Sequence, residues 1–331
     1  MKIPELRQLL SNSEKAHIEK TFAEVYKQLP KQKKEEIDPV IQDILSGKDT
    51  NRSRKKTSIN FPDLKQEIQT FIENAYSQNY FGPNRIIPKN QRPKWRFLVK
   101  GYIKELVKIP LTDENYTESA KLLKELYQLI CEACNYYLFS TDDAFRSIGW
   151  DQSDLFALVV KKVFGDGYTR KNISELLLLA STGGLSRESL YIYQQLELLS
   201  ELKTSDVKYM AVEEAKKLIG EREAKLGELK KYDSKRYDLT RTINNLCDMI
   251  LMIQITLAEP ESGIRYFFKT CIEVRREIVL YRALSLVRDL DEENDKLWLQ
   301  IYEYGKKQKI EPRESLVEEY QQLIENMPQN T

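Results

Sequence analysis

Apolar residues recur every three or four positions over most of the chain. In "YDLTRTINNLCDMILMIQITLAE", Leu239, Ile243, Leu246, Ile250, Ile253 and Leu257 form one continuous stripe, the signature of a helix that buries a face. "IRYFFKTCIEVRREIVLYRALSLVRDL" repeats the pattern with Ile264, Phe267, Cys271, Val274, Ile278, Tyr281, Leu284 and Val287. Pro260 between them ends the first stretch and can occupy the first turn of the second, which predicts an antiparallel helix pair. No stretch alternates apolar and polar residues between turn signals, so no strand is expected.

Boundary signals agree with this reading. Ser11 with Glu14, and Asn172 with Glu175, have capping-box spacing. Gly183 and Gly184 follow "LLLLAST", where a helix C-terminus favours a positive φ. Further breaks are expected near Pro30, Gly47, Gly165 to Gly167, Gly220 and Gly305. Segments of roughly 15 to 25 residues between breaks fit helix hairpins. No motif recurs at a period of about 34 or 40 residues, so no named repeat is assigned. The expected fold is all-α: stacked helix hairpins in an irregular bundle or an α-solenoid-like array.

Composition supports this. Among 331 residues, 12 glycines and 11 prolines are too few for a turn-rich β fold. The 41% apolar and 31% charged shares are those of a folded, well-solvated chain. The polar, aperiodic stretch "SGKDTNRSRKKTSINFPD" reads as a linker. It divides a small helical unit (1–46) from a main helical domain (63–331), with 47–62 between them and a subdivision possible near 165–185. The start "MKIPELRQLL" has no apolar run of signal-peptide length, and "LLLLA" is far too short to span a bilayer. Four cysteines do not make a disulfide framework. Cytoplasmic placement, without membrane contact, is the default expectation.

Candidate chemistry is sparse. His17 is the single histidine, so histidine acid–base pairs and triads are unsupported. Cys131 and Cys134 in "CEAC" lack a second ligand pair for zinc and lie in a helical pattern, which makes them core residues. "DLDEENDKLWLQ" opens like a calcium loop, but Asn294 and Gln300 stand where glycine and the bidentate glutamate belong. "FGDGYTRKN" and "STGGLSRES" do not match a phosphate-cradling loop and read as helix stops. Acidic pairs such as Asp142–Asp143 and Glu213–Glu214 read as helix-surface residues. No catalytic, cofactor or metal residues are assigned, and a carboxylate-dependent helical enzyme is the weakest reading.

The net charge of +1 hides an asymmetry. Residues 52–108 carry thirteen Lys/Arg against four Asp/Glu, a balance of +9, whereas 109–331 sum to −8. In "QRPKWRFLVKGYIKELVKI", Pro93 can begin a helix whose apolar stripe is Trp95, Leu98, Val99, Tyr102, Ile103 and Leu106. Arg92, Arg96, Lys100, Lys104 and Lys108 recur every four residues on the other side. Such neighbours repel by a few tenths of a kcal/mol per pair. Two explanations stand: carboxylates of the acidic remainder pair with the stripe inside the fold, or the stripe neutralises phosphates. For the second, Arg85, Arg92, Arg96, Lys100 and Lys104 are the candidate polyanion contacts. Tyr80, Phe81, Trp95 and Tyr102 could stack on bases, although their spacing suits a core.

The opening "IPELRQLLSNSEKAHIEKTFAEVYKQL" and the stretch "KWRFLVKGYIKEL" resemble those of a family of short bacterial all-helical proteins. The resemblance covers roughly residues 1–160 and rests on leucine and lysine spacing. It implies an all-helical fold and no established activity. The chain departs from that pattern by its linker and by the helices after about residue 165. Nineteen tyrosines, with "CNYYLF" and "LYIYQQLELL" as candidate contacts, favour a protein partner as the leading expectation. Nucleic acid or another polyanion is the alternative.

Overall fold

The computed structural model describes residues 3–46 and 60–326. The chain forms two compact units, Met1–Asn60 and Phe61–Thr331. The described residues are helical with no strand, so the fold is all-α. The first unit holds α1 (Ile3–Ser11), α2 (Lys15–Lys27) and α3 (Lys31–Leu45). Tyr26 ties α2 to α3 by donating to Asp38 Oδ1 at 2.6 Å. The expected Ser11–Glu14 capping box does not form. Ser11 is the last residue of α1 and its hydroxyl donates back to Gln8 O, leaving Glu14 to precede α2 without a side-chain cap. His17 is exposed on α2. Most of the expected linker, with "NRSRKK", lies outside the described residues.

The second unit runs through α4 (Phe61–Tyr76), a 3₁₀ turn (Arg92–Lys94), α5 (Trp95–Lys108), α6 (Tyr116–Asn135) and the short α7 (Ala144–Ile148). It continues with α8 (Gln152–Gly165), α9 (Arg170–Ser181), α10 (Tyr191–Glu201) and α11 (Ser205–Glu228). The last elements are α12 (Lys235–Thr256), α13 (Pro260–Thr270), α14 (Arg276–Leu290), α15 (Asp295–Lys307) and α16 (Glu314–Asn326). Many helices pack on their neighbours or next-but-one neighbours in sequence, and α12 touches α9, α10, α11, α13 and α14. Every residue from Thr242 to Gln254 is buried, so α12 is a central helix surrounded on all sides.

Because α12 has no solvent face from Thr242 to Gln254, its polar side chains there must find partners inside the protein. Asp248 accepts two bonds from Arg282 of α14, one of them 2.7 Å from Nε to Oδ1. Arg282 also donates to Asn245 Oδ1 at 2.7 Å, and Asn245 Nδ2 reaches Ser181 O at 2.9 Å. Gln195 of α10 donates to Asn245 O at 2.8 Å. Burial opposes the charge on Arg282, but the Asp248 carboxylate outweighs it and holds the guanidinium above its ordinary pKa.

Several expectations need correction. The stripe from Ile264 to Val287 is two helices, not one, with the break at Cys271–Arg275. Asn244 of α12 satisfies the break: its Nδ2 donates to Ile272 O at 2.9 Å and its Oδ1 accepts from Ile272 N at 2.8 Å. Val274, expected on the apolar stripe, is 99% exposed. Gly220 and Gly305 lie inside α11 and α15. Gly305 is there for close packing, since a Cβ would meet Leu280 Cδ1 at 2.8 Å. The cap of α9 is Thr169, which accepts from Asn172 N at 3.1 Å; Asn172 itself, in the first turn, donates to Gly167 O. Gly183 has the expected positive φ, and a Cβ on Gly184 would stand 2.1 Å from Cys131 O. Asp143 and Glu214 are buried, against the surface reading.

Two substitutions probe these contacts by denaturant unfolding. Asn244→Ala should lower stability by about 1–3 kcal/mol, because the Ile272 N–H and C=O lose their partner. Arg282→Gln should cost about 3 kcal/mol, because Asp248 is left as an uncompensated buried charge. An effect below a few tenths of a kcal/mol in either variant would contradict this account of how α12 is held.

Candidate anion-binding face

The segment 77–94 carries the charged residues into α5, and side-chain bonds to backbone fix its path. Asn84 Oδ1 accepts from Ile86 N at 2.9 Å and Ile87 N at 2.8 Å, while its Nδ2 donates to Asn79 O at 2.6 Å. Gln78, at φ 57°, donates from Nε2 to Tyr137 O at 3.2 Å. Arg92 bends back over the loop, with Nε 3.0 Å from Ile87 O and Nη2 3.2 Å from Asn84 O. Below the loop, the Trp95 ring stacks on Phe139 with centroids 3.9 Å apart and planes 10° from parallel. Phe71 and Tyr80 complete that aromatic floor, both within 6.1 Å of Phe139.

The five sequence candidates occupy different positions. Arg85, Arg96 and Lys104 are exposed, whereas Arg92 and Lys100 are half-buried. Arg92 is a structural clamp for the loop that still lines the surface cleft described next. Arg96 stands over the Phe97 ring at 4.9 Å. Lys100 leans toward the end of α7, its Nζ 3.6 Å from where a Cβ on Gly149 would lie. Buried Trp95, Val99, Ile103 and Leu106 anchor α5, so the opposite face stays in solvent; Leu98, expected on the buried stripe, is partly exposed.

Among the described residues, none of Arg85, Lys89, Arg92, Lys94, Arg96, Lys100 and Lys104 takes part in an ion pair. Only Lys108, at the end of the stripe, pairs with its neighbour Glu105, at 2.5 Å. The internal pairing weighed from the sequence is therefore not how the stripe is accommodated. Several carboxylates of the acidic remainder pair with cations of that same region instead. Glu213 and Glu214 meet Arg170, Asp142 meets Arg187, and Asp295 and Glu319 meet Arg288.

A cleft of about 350 Å³ opens where the loop meets α5 and α7. Lys89, Arg92 and Arg96 supply its charge, Tyr80, Phe81, Pro93 and Trp95 its apolar wall, and Ser140 and Ser147 its hydroxyls. No carboxylate lines it among the described residues. Beside it, the partly exposed rings of Phe81 and Tyr137 stack at 5.5 Å and 25°. The two serines were out of reach of sequence reasoning, because only the tertiary fold brings 140–147 beside 89–96. Tyr137 was legible in part, through the tyrosine pair of "CNYYLF".

Asp143 holds the serine side of the cleft in place. It caps α7 by accepting from Arg146 N at 3.0 Å and binds Ser186 Oγ at 2.8 Å and Arg187 N at 3.1 Å. Burial works against its charge, but these donors outweigh burial and keep its pKa below the ordinary aspartate value.

Other candidates yield less. A larger cleft of about 590 Å³ lies among α6, α9 and α11 and mixes both signs, with Lys124 and Glu175 paired to each other across it. Among the described residues, no three His, Cys, Asp or Glu side chains gather where they could hold a metal. The thiols of Cys131, Cys247 and Cys271 are buried, and burial pushes Cys271 up to about 12. No helix of the described residues is long and apolar enough to cross a membrane.

The chain matches no protein-family model, no curated protein and no solved structure.

Asp143→Asn keeps an oxygen to cap α7 but turns an amide N–H toward the Ser186 and Arg187 donors, and should reduce stability at pH 7 by about 1–3 kcal/mol, the cost of leaving such donors unpaired. A depressed folded pKa means the carboxylate stabilises fully above the unfolded value of about 3.9 and loses that contribution as pH falls below it. The gap between wild type and variant should therefore begin to narrow below about pH 4 and close only as pH falls through the lower folded pKa. A gap independent of pH, in melting curves taken from pH 7 to pH 2, would show that the charge is not what stabilises the cap.

Proposed function

We propose that the protein binds a polyanion through the face built from residues 85–104. One observation carries this reading: seven cations within twenty residues share one surface with no carboxylate partner, whereas arginines elsewhere, such as Arg170, Arg282 and Arg288, hold theirs. Leaving seven like charges together costs repulsion that a bound phosphate backbone would remove, releasing counterions as it did so. The loop geometry supports it, since Arg92 and Asn84 hold the segment in shape before a ligand arrives.

A protein partner is the second reading, and a separate feature favours it. Leu9, Phe22, Val25, Ile44 and Leu45 of the first unit are each more than half exposed. Scattered apolar side chains on a surface need no explanation, but several on three short helices are what a helix-binding partner would use.

The test is fluorescence anisotropy of a labelled oligonucleotide against the full chain, titrated with salt. A variant carrying Arg85→Gln, Arg96→Gln, Lys100→Gln and Lys104→Gln leaves the Arg92 clamp untouched. Affinity should fall steeply with salt in the wild type, with the log–log slope reduced by about 0.7 for each phosphate contact removed. Absence of binding at low salt, or an unchanged slope in the variant, would reject the reading.

A further inference from the structure

Cations alone would hold any polyanion, whether duplex, single strand or sulfated polysaccharide. What distinguishes this face is that its cations alternate with aromatic rings that reach solvent. Phe81 lines the basic cleft and is 44% exposed, and it stacks on Tyr137, which is 64% exposed. Phe97, 63% exposed, lies under the Arg96 guanidinium. Phenylalanine rings are normally buried, as Phe139 is beneath this same surface, whereas Phe81 and Phe97 are not. Here a ring pair stands open at the mouth of a cleft lined by Lys89, Arg92 and Arg96.

Resting on the polyanion reading, we infer that the ligand is a single-stranded nucleic acid. One of its phosphates lies in the cleft and its bases stack on the Phe81–Tyr137 pair. A single strand offers both chemistries at once, a charged backbone and unpaired π-faces, whereas a duplex hides its bases and a polysaccharide has none. The cleft volume of about 350 Å³ is near the lower end of ligand sites and suits one nucleotide unit rather than a groove-filling helix. Ser140 adds a hydroxyl on the far wall that can donate to a phosphate oxygen, while the Ser147 hydroxyl is already committed to Asp143 O. The ring pair is held before binding, because Gln78 donates to the Tyr137 carbonyl and Phe81 belongs to the loop that Asn84 and Arg92 fix. Stacking on a fixed platform loses little side-chain freedom.

Three probes separate this inference from the reading it rests on: a labelled oligo-dT, a duplex of equal length and heparin. Each is titrated against wild type, Phe81→Ala and Tyr137→Ala at one salt concentration, with circular dichroism confirming that each variant is folded. Both side chains are partly in solvent, and Phe81→Leu keeps bulk if the alanine variant unfolds. Each ring removal should weaken oligo-dT binding about tenfold and leave heparin binding within about twofold. A strand carrying 5-iododeoxyuridine should cross-link under ultraviolet light to the peptides holding Phe81 or Tyr137. Equal losses for heparin and oligo-dT, tighter binding of duplex than of single strand, or cross-links confined to other peptides would overturn the single-strand assignment while sparing the polyanion reading. Failure of all three probes to bind would overturn both.

Discussion

Burying α12 on every side from Thr242 to Gln254 removes water as a partner for the polar groups there, and much of the C-terminal half is arranged around that constraint. Its asparagines and Asp248 reach outward to the backbone of neighbouring segments and to Arg282. The contacts do two jobs. They satisfy groups that would be costly to leave unpaired, and they specify where the surrounding chain must stop being helical. Ser181 ends α9 with its carbonyl on Asn245, and the break before α14 is matched by Asn244. A helix of leucines and isoleucines alone would pack as tightly but would not dictate where its neighbours end.

The same device recurs near the basic face. Gln152, buried at the start of α8, donates to Gly184 O and accepts from Ser186 N, and Asp143 takes the next two donors of that loop. Loop 182–190 is thereby locked to α7, and α7 carries Ser147 to the cleft wall. The cleft is thus held on one side by a carboxylate cap and on the other by Asn84 and Arg92. Between them, the stacked Trp95 and Phe139 form the rigid floor. A surface built this way presents its charges in fixed positions, which suits recognition better than a mobile basic tail would.

Charge pairing explains why the surface stays available. The acidic remainder reaches the basic segment at Lys65, which pairs with Glu118, but not at residues 85–104; arginines on α9, α14 and the loops hold several of its other carboxylates. Arginine binds a carboxylate in a fork geometry that lysine lacks. Arg282 holds both oxygens of Asp248, and Arg288 bridges Asp295 and Glu319. The surplus positive charge is left on α5 and the loop before it.

The sequence by itself determined the all-α class, the existence of α12, the proline start of α13 and the one-sided charge of α5. These depend on local periodicity and on single-residue backbone preferences, which act over a few positions and need no distant partner. It misplaced the break after Phe267 because the apolar spacing runs on through Val274. Asn244, 28 residues away, satisfies the interrupted backbone at Ile272, and Arg276 donates to the Phe268 carbonyl. It also read Asp143 as a surface residue and Gly305 as a helix stop, where the fold uses one as a buried cap and the other as a contact point for Leu280. Whether the basic stripe was paired, and which hydroxyls and rings stood beside it, was decided by tertiary structure alone. Pairing depends on which distant carboxylates come within reach, and that distance is a property of packing, not of spacing along the chain.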